Sequence, residues 1–143
     1  MVMETTVFVA IITAGASIIL SALSFFLTKK KEREAELRKQ KLDSYTELLS
    51  ALSNLTGKDV TFESKKRLAQ IVNHIWLIAP YSVTKALTDF LDESSDSNRS
   101  NFSQEGHDRL LTILLHAIRK DLGVKSRKFD QNFEFRLWSA TKN

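Results

Sequence analysis

Residues 5–41 read TTVFVAIITAGASIILSALSFFLTKKKEREAELRKQK, an apolar run laced with small and hydroxylated residues that turns abruptly into charge. From Thr5 to Thr28 there are 24 uncharged positions. As an α-helix this is about 36 Å, enough to cross a hydrocarbon core of about 30 Å with modest tilt. A secretion signal would place its basic residues before the apolar stretch, but MVMET carries only Glu4. The basic cluster Lys29, Lys30, Lys31 and Arg33 follows the stretch instead. By the positive-inside rule the expectation is an uncleaved single-pass anchor with the N-terminus translocated and the C-terminal body in the cytoplasm.

The interior of the span is patterned. Ala10, Thr13, Ser17, Ser21, Ser24 and Thr28 recur every three or four residues with Ala14 beside them, and Phe8, Ile11, Ile12, Ile18, Ile19, Phe25 and Phe26 occupy the other side. Small side chains let helix backbones approach closely, and hydroxyls can bond across an interface or meet water. The stripe therefore marks helix packing between copies or the lining of a pore. Its bland counterpart is that each hydroxyl bonds the preceding turn's carbonyl.

Charge is divided along the chain. Lys29–Lys41 holds seven basic and three acidic residues, Leu42–Ile118 seven and ten, and Arg119–Asn143 seven and three. The overall +4 thus comes from a collar beside the apolar run and from the C-terminal tail, while the middle is acidic. Bulk nucleic-acid binding is not indicated by that distribution. The chain has no cysteine, which excludes disulfides, thiolate metal sites and cysteine nucleophiles. With one proline and four glycines, long helices are favoured over turns.

Helical periodicity continues beyond the collar. Leu42, Tyr45, Leu49, Leu52 and Leu55 form a seam ended by Gly57. Thr61 caps a second helix with Leu68, Ile71, Val72, Ile75, Trp76 and Ala79 inward. Pro80 opens a third, with Val83, Leu87, Phe90 and Leu91 inward. Ser103 caps a fourth, with Leu111, Leu114, Ile118 and Leu122 as its seam and Gly123 as its stop. In the tail, Phe133, Phe135 and Leu137 alternate with polar residues in NFEFRLW, a segment that must dock on the bundle or pair with another chain. The expected fold is all-α: a transmembrane segment over 1–28, a basic juxtamembrane helix over 29–41, and over 42–143 an antiparallel four-helix cytosolic bundle with a partly extended tail.

Chemistry is sparse. The glycines lie too far apart for a phosphate loop, and His74, His107 and His116 have no zinc-ligand spacing. No metal or other cofactor is expected. His74 and His107 read as packing residues. Arg109 and His116, seven apart, share a helical face with Lys120 one turn on. An arginine to hold phosphate and a histidine to move a proton could cleave RNA. The spacing resembles the arginine–histidine motif of HEPN ribonucleases, except that Leu110 stands where a polar residue usually follows the arginine.

The N-terminal span, basic collar, helical body and degenerate Arg109/His116 pair together resemble the small membrane accessory proteins of CRISPR antiphage systems. The resemblance implies a growth-arresting effector of the bacterial inner membrane, acting as a homo-oligomer that permeabilises or depolarises it. Its trigger would be a cyclic oligoadenylate or a CRISPR effector partner. Basic clusters that could meet such a polyanion are Lys65, Lys66 and Arg67 at a helix start, and Arg119, Lys120, Lys125, Arg127 and Lys128 after the last helix. A passive membrane-tethered interaction module and a membrane-bound ribonuclease are the alternatives.

Overall fold

The computed structural model describes residues 2–55, 60–95, 97, 100, 103–125 and 133–136. Among these residues it is all-α, with four helices: α1 (Val2–Leu55), α2 (Phe62–Ile78), α3 (Tyr81–Glu93) and α4 (Gln104–Asp121). The chain divides into two units, Met1–Lys39 and Gln40–Asn143.

The first unit is the N-terminal part of α1. Its described side chains are exposed on every side, aliphatic and aromatic ones included. This is one helix long and apolar enough to cross a membrane, with mean hydropathy 2.3 in its best window.

The second unit is held by a single core. Tyr45, Leu48 and Leu52 of α1 meet Ile71 and Ile75 of α2, Val83, Leu87 and Phe90 of α3, and Leu111, Leu114 and Ile118 of α4. Two ends of this body are defined by contacts. At one, Leu52 and Leu55 of α1, Leu68 of α2, Phe90 of α3 and His107 of α4 line a cavity of about 200 Å³. At the other, Lys41 Nζ and the Tyr45 hydroxyl both donate to the Asp121 carboxylate, at 2.9 and 2.6 Å. Burial and this hydrogen bond push the Tyr45 phenol well above its ordinary value.

Helix ends follow local chemistry. Thr61 Oγ1 accepts from the Ser64 amide at 3.1 Å, and Ser64 Oγ reciprocates to the Thr61 amide at 3.1 Å, a closed capping box. Pro80 precedes α3, and its carbonyl accepts the Val83 and Thr84 amides. Ser103 Oγ caps α4 through the Gly106 amide at 3.0 Å. A Cβ on Gly106 would stand 2.6 Å from that same oxygen, so a larger residue there would make the Ser103 side chain shift. Gly123 takes φ 75° while the Val124 and Gly123 amides close on the Arg119 and Lys120 carbonyls, which terminates α4.

The seam of α1 differs from expectation. Leu48 and Ala51 are buried, Leu49 is half-buried and Leu42 is exposed. Packing against three other helices requires a broader face than a 3-4-3 line, centred on Tyr45, Leu48 and Leu52. Trp76 is also corrected: Ile75 takes the inward position one turn after Ile71, leaving Trp76 about 100° round the helix and outside the core. Gly57, Leu137 and Trp138 lie outside the described residues.

Candidate functional site

Three groups of side chains could carry function, and each is built differently. In the first unit, Ala10, Thr13, Ala14, Ser17, Ser21, Ser24 and Thr28 are all exposed along α1. Thr13 Oγ1 donates to the Val9 carbonyl at 2.8 Å and Ser17 Oγ to the Thr13 carbonyl at 2.9 Å. Both hydroxyl protons are therefore used within the helix, and what each oxygen offers outward is its acceptor capacity. Just beyond, Lys29 pairs with Glu32 at 2.8 Å and its ammonium lies 5.9 Å from the Phe25 ring centre, so the collar begins by capping the aromatic end of the apolar run.

The cationic residues expected to meet a polyanion form two sets in the second unit. Lys65, Lys66 and Arg67 are exposed in the first turns of α2. Arg67 reaches Glu47 of α1 at 3.2 Å. That pair borders a polar groove between α1 and α2, of about 460 Å³, which Ser44, Glu63, Gln70 and His74 also line. Glu47 and Glu63 make it mixed in charge rather than an anion site. Lys120 and Lys125 are exposed at the end of α4. Lys65, Lys66 and Arg67 thus belong to the start of α2, with Arg67 beside Glu47 of α1, and Lys120 and Lys125 follow one another at and beyond the end of α4. Arg127 and Lys128 lie outside the described residues.

The Arg109/His116 pair is split by its surroundings. Arg109 is exposed, whereas His116 is half-buried beneath the tail. The Phe135 amide donates to Thr112 Oγ1 at 3.0 Å. The Phe135 ring stands edge-on to His116 at 5.3 Å and lies 5.9 Å from the Arg119 guanidinium. Thr112, His116 and Arg119 follow at helical spacing, so the tail seats one aromatic residue along a single face of α4. Under it, His116 Nε2 and Arg119 Nε are buried without hydrogen-bond partners. A general base needs its nitrogen within reach of a substrate proton, and here Nε2 is covered.

Of the two histidines expected to pack, His107 does and His74 does not. His107 stacks against Phe90 at 4.9 Å, with Nδ1 3.3 Å from Asp108. His74 is exposed. Among the described residues no group of three or more acidic or histidine side chains is arranged to hold a metal ion. Sequence reading missed the Lys41–Tyr45–Asp121 cluster, in which Asp121 lies 80 and 76 positions from Lys41 and Tyr45. Alternation in NFEFRLW gave the tail as docked on the bundle or paired with another chain, but not its seat on α4. No protein-family model matches the chain, and no curated protein or solved structure matches it.

Proposed function

We propose that this protein is a self-associating, single-pass effector of the bacterial inner membrane that permeabilises or depolarises it when the cytoplasmic body receives a signal. Thr5–Thr28 spans the bilayer, and the Lys29–Arg33 collar holds the C-terminal side in the cytoplasm. Gln40–Leu55 and α2 to α4 form an antiparallel four-helix bundle in this reading, consistent with the pairings at the two ends of the body. Copies associate through the Ala10–Thr28 stripe. The trigger is a cyclic oligoadenylate or a CRISPR effector partner, met by one of the two cationic sets.

The observation that carries the reading is the first unit itself. Its apolar side chains are exposed all round α1, and one face bears hydroxyls and small residues that a lipid-facing anchor does not need. The ribonuclease alternative is less well supported, because His116 sits under Phe135.

The test is membrane potential in cells in which expression is induced. Depolarisation or dye uptake is expected before any RNA decay, and Ser17→Leu with Ser21→Leu should abolish it while keeping insertion, since hydrophobicity rises. RNA decay that precedes depolarisation, lost in His116→Ala, would overturn the effector reading in favour of catalysis.

A further inference from the structure

Among the described residues of the second unit, the three most exposed large apolar side chains are Leu77 at 83%, Phe62 at 81% and Tyr81 at 78%. All lie on α2 or at the first position of α3. Trp76 is 54% exposed beside them. On α2, Phe62, Lys66, Ala69, Asn73 and Trp76 follow a 4-3-4-3 spacing, and every one is exposed. This is a second helical seam, on the side of α2 opposite Ile71 and Ile75.

We propose that this outer face of α2 is a contact surface for a second copy of the chain. The amount of surface supports it. At roughly 150–250 Å² per large side chain, the four apolar residues present roughly 550 Å². A stable interface needs about 800 Å² per partner, a gap that Lys66, Ala69 and Asn73 between them fill. The order of residues suits a partner with the same face: bulky at both ends, small at the midpoint Ala69, and polar between. Such a face is self-complementary, as a two-fold contact requires. Small Ala69 lets two helices approach at their crossing, and Lys66 and Asn73 are the residue types that set register in such seams. Beside Trp76, a groove of about 460 Å³ lined by Tyr81, Thr84, Lys85, Thr88 and Asp89 offers a seat for an aliphatic side chain from the facing copy. This contact is distinct from association through the first unit and does not depend on it.

Because the chain has no cysteine, cross-linking starts from zero background. Ala69→Cys in the full-length protein, in membranes and treated with a short bismaleimide, should yield a covalent dimer. Ala69 lies at the crossing whichever way the two helices run. Glu105→Cys, exposed at the start of α4, should remain monomeric. Adding Trp76→Glu and Leu77→Glu should reduce the Ala69→Cys product about tenfold or more, as expected for loss of a buried tryptophan anchor. Ser17→Leu with Ser21→Leu should leave that product in place. Both glutamates replace exposed side chains, so an unchanged melting temperature confirms that the body remains folded. Cross-linking of Ala69→Cys no greater than that of Glu105→Cys, or undiminished by the glutamates, overturns the proposal.

Discussion

Leu20 and Leu48 are the same residue on the same helix, yet Leu20 is 64% exposed and Leu48 is 0% exposed. The helix alone does not decide this difference. Around Leu48, three other helices remove apolar surface from water, and the chain supplies its own solvent. Around Leu20, the first unit offers no protein at all, so a stable environment for that stretch must come from outside it. The two regions therefore draw their stability from different sources.

The largest expected effects break this contrast directly. Leu48→Ala should destabilise the body by about 2–5 kcal/mol in denaturant titration, through lost transfer energy and the cavity left behind. Leu20→Ala should move the same titration by less than about 0.5 kcal/mol. Equal effects would mean that Leu20 is packed against protein.

Next is a charge in the first unit. Ile19→Asp should cost about 3 kcal/mol of insertion and shift the protein out of the membrane fraction. The denaturation midpoint of the body should stay where it was. Retained insertion would remove the basis for a span over Thr5–Thr28.

A smaller effect sharpens the picture of the body. Tyr45→Phe removes the 2.6 Å bond to Asp121 and should cost about 1.5 kcal/mol. Since folding raises the Tyr45 phenol above its ordinary value near 10, its contribution is fully present below that pH and lost as pH rises through and beyond it. Wild-type stability should thus fall more steeply above about pH 10 than that of Tyr45→Phe. Parallel alkaline profiles would show that the hydroxyl is accessible to solvent.

The smallest effect concerns a helix end. Thr61→Ala opens the capping box of α2 and should cost about 1 kcal/mol, read as a shift in the same denaturation midpoint. Thr13→Ala, which removes a hydroxyl bonded within the first unit, should leave that midpoint unchanged.

What the sequence determined by itself is what depends on near neighbours. Each helix that periodicity predicts is present, because 3.6-residue repeats read out one buried stripe at a time. Thr61, Pro80, Ser103 and Gly123 act at the helix ends where local backbone chemistry places them, since caps close over three or four residues. The length and hydropathy of the apolar run are likewise properties of the string. Tertiary structure decided whatever depends on how many partners surround a helix. Leu48 and Ala51 entered the α1 face and Leu42 stayed outside it because three helices, not one, had to be met. Ile75 displaced Trp76 from the core, and that left an aromatic side chain outside it. Phe135 came to cover His116, although they are nineteen positions apart, because a seat on α4 depends on the shape of that helix's outer face. Lys41, Tyr45 and Asp121 met across the fold, and no periodicity within either helix encodes a partner on the other.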